Sequence, residues 1–161
     1  MILILVRHAE AQNRDMSVDD DNRTLTAKGI RGYKKTVRGL RSVLHDAADV
    51  MILSSPLTRA LQTAQLLKEG FKAKEIRALS CISEGDLGAF VKELSGYANE
   101  DHVFVTGHEP HLGNWSEALC GVKLPFKKGA CAALEYTSLK PYNSSLLWFS
   151  QPGMLKKLKV K

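Results

Sequence analysis

The sequence predicts an α/β fold: a three-layer α/β/α sandwich around a mostly parallel central sheet. Three observations carry that expectation. Met1–Val6, Val50–Leu53 and His102–Thr106 are short, β-rich apolar runs, and Met1–Val6 lacks the alternation of a strand with one wet face. Stretches with apolar residues at three- and four-residue steps separate them, so strands alternate with helices. Each run also ends abruptly in polar or turn-forming residues: Arg7-His8, Ser54-Ser55-Pro56 and Gly107-His108.

Taken in order, Met1–Val6 is expected to be a central strand. His8–Thr24, with Asp19-Asp20-Asp21, reads as a loop. A helix is expected from Leu25 onward, because Ile30, Tyr33, Val37, Leu40 and Leu44 share a face and Thr26 can cap its start. Val50–Leu53 is a second buried strand. Leu57–Leu67 reads as a helix with Leu57, Leu61, Ala64 and Leu67 on one side. Glu75–Leu79 is a short strand, and Asp86 can cap a helix over Leu87–Leu94. His102–Thr106 is the third strong strand, and Leu112–Leu119 a helix. Ala130–Thr137 and Ser145–Ser150 are two late strands, and Met154–Leu158 a last helical turn. Neither a linker nor a repeat interrupts residues 1–161, so one domain is expected.

At 161 residues, 44% of them hydrophobic, the chain can bury a real core. The apolar run at Met1–Val6 is too short to span a bilayer and lacks the features of a secretory signal, so a cytoplasmic chain is expected. Cys81, Cys120 and Cys131 are scattered and form no CxxC pair, which predicts free thiols. The net charge of +6 gathers around Arg31, Lys34, Lys35, Arg38 and Arg41 and at Lys156, Lys157, Lys159 and Lys161. Such a face is solvated or attracts an anionic partner. Nucleic acid is not expected, because the basic residues are not interleaved with aromatics and no recognition-helix, RNP or zinc-finger pattern is present.

In parallel sheets, ligands bind beyond the carboxyl ends of the strands. If the three strong strands are parallel neighbours, Arg7, His8, Arg59 and His108 meet at one edge, with Arg59 in the first turn of a helix. Two guanidiniums, two imidazoles and a helix N-terminus make an anion site, and arginine forks match phosphate oxygens. His108, Glu109 and His111 do not read as a metal site, since Pro110 intervenes and no third ligand block appears.

The same residues carry a family resemblance. RHA at the end of the first strand, LTAKG (Leu25–Gly29), SSPLTRALQTA (Ser54–Ala64) and GHEP (Gly107–Pro110) resemble the histidine phosphatase superfamily, the phosphoglycerate-mutase-like group. The compact length, the RHAEA opening and the GHEPHLG block are most similar to its phosphohistidine phosphatases of the SixA type. The resemblance implies a phosphoglycerate-mutase-like fold and a metal-independent phosphatase without cofactor. It implies that His8 is the nucleophile and becomes a phosphohistidine, while Arg7, Arg59 and His108 hold the phosphoryl oxygens. A neutral imidazole is a competent nucleophile, and nearby arginines favour the neutral form. Its second ring nitrogen needs an acceptor, expected to be a carbonyl near Leu25–Gly29.

Two departures qualify the pattern. Ala9 stands where the family commonly has glycine, and Ala11-Gln12-Asn13 lacks the family's Ser/Thr, leaving Asn13 as a candidate phosphate contact. Glu84 matches, by spacing, the glutamate that mutase-like relatives use as proton donor. His111 is a candidate for the pocket rim. The segment between Arg59 and His108 is short, which predicts an open site suited to a phosphorylated protein such as a histidine phosphotransfer domain. The alternatives are a small-molecule phosphomonoesterase using Glu84 as acid, and a phosphoprotein-binding regulatory module with little turnover.

Overall fold

A computed structural model describes residues 1–14 and 17–158. Lys159 and Lys161 of the basic tail lie outside the described residues. Six strands form one sheet: β1 (Ile2–Arg7), β2 (Val50–Ser54), β3 (Ile76–Ala78), β4 (His102–Gly107), β5 (Cys131–Glu135) and β6 (Ser145–Ser150). Their spatial order is β3-β2-β4-β1-β5-β6. The β1–β4, β2–β4 and β2–β3 pairs are parallel, whereas β5 runs antiparallel to β1 and β6 antiparallel to β5.

The missing alternation in the strand sequences has a direct cause. On one face Leu3, Leu5, Met51, Leu53, Val103 and Val105 enter a core with α3 (Ser80–Glu84), α4 (Leu87–Ser95) and α5 (His111–Cys120). On the other, Ile4, Val6, Val50, Ile52 and Phe104 meet α1 (Ala27–Val43), α2 (Thr58–Phe71) and α6 (Pro152–Leu155). A strand covered by helices on both sides needs apolar residues at every position. This is the mostly parallel α/β/α architecture expected.

Local signals set the helix starts. Thr26 accepts from the Gly29 N–H at 2.9 Å, and Asp86 from the Ala89 N–H at 2.9 Å. Both hydroxyl and carboxylate satisfy orphan donors of a first turn. Some boundaries differ from expectation. Helix α2 runs on to Phe71 and ends where Lys72 turns left-handed at φ 56°. Helix α3 has no counterpart among the expected elements, because five residues are too few to show a helical period. Strands β3 and β5 are shorter than expected, and the segment from His8 to Thr24 contains a 3-10 turn at Asp20–Asn22 and a bridge from Ala11 to Leu25. All three cysteines are free thiols. Among the described residues, no helix is long and apolar enough to cross a membrane.

Candidate active site

The parallel register brings the strand ends together. Arg7 pairs with Gly107 across β1–β4, and Ser54 with Thr106 across β2–β4. The ladder continues one residue further: the His8 N–H donates to the Gly107 carbonyl at 3.1 Å, and the Ser55 N–H to Thr106 at 2.9 Å. His8 and His108 therefore leave adjacent strands at the same level, with ring centroids 5.3 Å apart and planes tilted by 51°. Arg59 enters from the first turn of α2, which follows β2 directly.

His8 is 5% exposed. Its Nδ1 lies 2.7 Å from the Ala9 carbonyl oxygen. A carbonyl only accepts, so Nδ1 carries the proton and Nε2 keeps its lone pair. The acceptor is thus the carbonyl of the next residue, which corrects the expectation of one near Leu25–Gly29; those residues are engaged in starting α1. Burial, against the opposing pull of the Ala9 carbonyl, lowers the His8 pKa to about 4, with Arg59, Arg7 and Arg23 acting in the same direction as burial. The neutral ring is therefore the form present at neutral pH.

The Ala9 N–H donates to Thr63 Oγ1 at 3.0 Å, and that hydroxyl donates to the Arg59 carbonyl at 2.7 Å. One buried threonine on α2 thereby ties the His8 loop to the backbone of Arg59. Gln62 of the same helix accepts from the Leu25 N–H at 2.7 Å.

Arg59 donates from Nη1 to the Asp20 carbonyl at 2.6 Å and from Nη2 to the Asp20 carboxylate at 3.2 Å. Asp20 also pairs with Arg23 at 2.9 Å and Arg14 at 3.0 Å. Partial burial works upward on the Asp20 carboxyl, but Arg59, Arg23 and Arg14 outweigh it and hold the pKa low. Arg7 donates from Nη1 to the Phe126 carbonyl at 2.7 Å. The His108 Nε2 sits 2.7 Å from Ser55 Oγ, and burial, followed by His8, Arg59 and His111, lowers its pKa to about 3.

Among the described residues, three buried nitrogens of this cluster have no partner: the Nε–H donors of Arg7 and Arg59, and Nδ1 of His108. Buried polar atoms are normally paired, and an unpaired one costs about 1–3 kcal/mol. Guanidinium donors beside two neutral imidazoles suit a tetrahedral oxyanion.

The other expected residues sit differently. Glu84 is exposed at the end of α3 and, among the described residues, makes no hydrogen bond or ion pair with this cluster. Asn13 is exposed and likewise makes no such bond. His111 is half-buried at the start of α5; its ring faces Gly85, where a Cβ would meet Nδ1 at 2.2 Å, and it acts on the charge of His108. Sequence reasoning missed Asp20, Arg23 and Ser55 as members of the cluster. Asp20 and Arg23 lie in a polar stretch without periodicity, and nothing local marks which acid or arginine faces inward. Ser55 and Thr63 fell inside the SSPLTRALQTA block without being singled out.

Fold and cluster together define an α/β protein with paired histidines and arginines at the carboxyl ends of parallel strands. The chain belongs to the histidine phosphatase superfamily (branch 1), whose sequence profile matches residues 3–106. It is 33% identical over 142 residues to an uncharacterized protein of Picosynechococcus sp., covering 83% of this chain and 84% of the other. The solved structure of the protein histidine phosphatase SixA complexed with tungstate is similar at a TM-score of 0.85 and 23% identity, covering 96% of this chain and 99% of that one. A putative phosphohistidine phosphatase SixA from Nakamurella multipartitia gives 0.76 and 26%, over 94% and 95% of the two chains. The fold also extends to an alpha-ribazole phosphatase from Shigella flexneri, at 0.74 and 16%, over 94% and 97%.

Proposed function

We propose that this protein is a metal-independent phosphatase that removes the phosphoryl group from phosphohistidine on a protein, with His8 as the nucleophile. The observation that carries the reading is the set of unpartnered nitrogens of Arg7, Arg59 and His108 beside a neutral His8 whose Nε2 keeps its lone pair. In this reading Nε2 attacks phosphorus, the substrate imidazole leaves, and the phosphoryl group stays on His8 until water takes it. Phosphoryl transfer spreads charge over three oxygens, and fixed donors stabilise that charge without reorganising. Arg7, Arg59 and His108 supply such donors. Arg23 adds positive charge from behind Asp20.

Two observations favour phosphohistidine over an ester. Glu84, the expected proton donor, makes no hydrogen bond or ion pair with the cluster among the described residues, and a protonated imidazole leaves without a positioned acid whereas an alkoxide needs one. The short segment between Arg59 and His108 is spent on secondary structure whose apolar residues, Cys81, Ile82, Phe90 and Leu94, enter the core rather than close over His8. A segment that does not close over His8 suits a protein substrate, and the basic face of α1, which carries no acidic residue of its own, suits an acidic one. His111 is assigned to the rim, and Asn13, exposed on the loop after His8, to a contact with the substrate phosphate. Free thiols agree with a reducing, cytoplasmic setting.

The test is incubation, in EDTA, with a histidine-phosphorylated phosphotransfer domain and in parallel with p-nitrophenyl phosphate, alongside His8→Ala. Fast loss of the protein phosphate and slow ester cleavage, both abolished by the substitution, are expected. Fast ester cleavage with an untouched phosphoprotein would replace this reading by a small-molecule phosphomonoesterase, and Glu84→Gln would be examined next. Tight phosphate binding with no hydrolysis of either substrate would indicate a binding module.

A further inference from the structure

A second basic site lies on the α1 side of the His8 loop. A cavity of about 490 Å³ opens between α1, the turn before β5 and the residues after α6. Five cations from these three segments line it: Lys28, Arg31 and Lys35 of α1, Lys128 of the turn, and Lys156. Among the described residues, Glu10 is its one acidic lining residue, and it already pairs with Lys28 at 3.7 Å. Among the described residues, the other four cations make no ion pair.

The fold concentrates this charge rather than dispersing it. Helix α1 carries Lys28, Arg31, Lys34, Lys35, Arg38 and Arg41 and no acidic residue at all. Gly32 lets the Lys156 ammonium lie against α1, since a Cβ there would be 3.1 Å from Nζ. Gly129, at φ +81°, turns the chain so that Lys128 borders the same cavity. Buried Leu155, whose carbonyl lies against Gly39, holds the chain immediately before Lys156 in place. Like charges drawn together from three separate segments repel, and a bound anion relieves that repulsion.

We infer that this cavity is a second anion site, separate from the phosphoryl site at His8, that takes a soluble oligo-anion carrying two or more phosphoryl groups. Length decides against a single phosphate. Lys28 and Lys35 are seven residues apart, about 10 Å along the helix, so one phosphate does not reach both ends. Lysines outnumber arginine here, and as flexible point charges they follow a chain of phosphates without demanding the planar geometry of a carboxylate. The site borders the catalytic loop: Ala9 lines it, and the Gly129 N–H donates to the carbonyls of Arg7 and His8 at 3.1 and 3.0 Å.

Inorganic tripolyphosphate is the probe, titrated calorimetrically into His8→Ala protein so that it is not turned over. Two triple variants in that background remove equal charge: Arg31→Gln/Lys35→Gln/Lys156→Gln inside the cavity, and Lys34→Gln/Arg38→Gln/Arg41→Gln outside it. The cavity variant is expected to bind at least tenfold more weakly, the outer variant within threefold of the parent. Equal weakening by both would mean diffuse counterion attraction and would overturn the site. Amide shifts in the otherwise unsubstituted protein supply an independent readout, expected at Gly29, Gly32 and Gly129. Shifts confined to the surroundings of Arg7, Arg59 and His108, or no binding at millimolar probe, would equally overturn it.

Discussion

The Arg59 guanidinium is held by Asp20 twice, through the backbone carbonyl at 2.6 Å and through the carboxylate at 3.2 Å. The two bonds have different consequences. The carbonyl orients the fork while leaving its charge intact. The carboxylate brings a negative charge, about 40% exposed at its side chain, to the edge of an anion site. Asp20→Asn keeps the orientation and removes that charge. Inhibition by inorganic phosphate is expected to tighten several-fold, because the attraction of Arg59 and Arg23 is no longer shared. An unchanged inhibition constant would show that the carboxylate does not oppose the anion.

Replacing Arg59 itself separates charge from geometry. Arg59→Ala is expected to lower kcat by about 10²–10³, the usual scale for removing a donor aimed at developing charge. Arg59→Lys should recover only part of it, since an ammonium cannot reproduce the fork. Steady-state kinetics on one substrate checks both, and full activity in Arg59→Lys would rule out the forked contact.

The pH response follows from the buried histidines. Their folded pKa values, about 4 for His8 and about 3 for His108, lie below the ordinary 6.5, chiefly through burial. Between those limits the unfolded chain binds more protons than the folded one. Their contribution to stability is therefore fully present above pH 6.5 and is lost as the pH falls toward 4 and below, with a slope of at most about 1.4 kcal/mol per pH unit for each proton. Thermal unfolding from pH 7 to 4 should show this decline, and His108→Gln should flatten it. The acid limb of kcat/KM, corrected for substrate ionisation, should lie below pH 5. A limb centred near 6.5 would mean that His8 titrates as a solvated imidazole.

Gly39 offers a stability test far from the chemistry. Alanine in a helix interior is ordinarily favoured over glycine by about 1 kcal/mol. Here a Cβ would sit 2.0 Å from the Leu155 carbonyl oxygen, so α1 and α6 would have to separate. Gly39→Ala should lower stability by about 1–3 kcal/mol in chemical denaturation while leaving kcat near normal. A stabilised variant would show that α6 is free to shift.

Chelation should leave turnover untouched. His8 Nδ1 is bonded to the Ala9 carbonyl, His108 Nε2 is engaged with Ser55, and the guanidiniums of Arg7, Arg59 and Arg23, which outnumber the Asp20 carboxylate, repel a cation. Activity lost in EDTA and restored by a divalent ion would contradict the proposed chemistry.

Much of this was legible in the chain itself. The three apolar runs, each ending abruptly in polar or turn-forming residues, pointed to a covered sheet and to the strand ends where Arg7, His8, Arg59 and His108 gather. Thr26 and Asp86 marked helix starts because capping is a contact within four residues. Glu84 shows the limit of such reasoning: spacing singled it out, but at the end of α3 it is exposed and makes no hydrogen bond or ion pair with the cluster among the described residues. The loop after His8 shows the same limit from the other side. Which of Asp19, Asp20 and Asp21 turns toward Arg59 depends on a 3-10 turn and on a helix that starts far along the chain.

What the sequence alone determined, then, is what short-range periodicity and capping encode: the strands, most helices and the chemistry at strand ends. Only the tertiary structure decided that Ala9 supplies the acceptor for His8, that Thr63 joins the two halves of the site, and that Lys156 closes a basic cavity against α1. Each of those depends on where distant segments come to rest once both faces of the sheet are buried, and no local pattern records that distance.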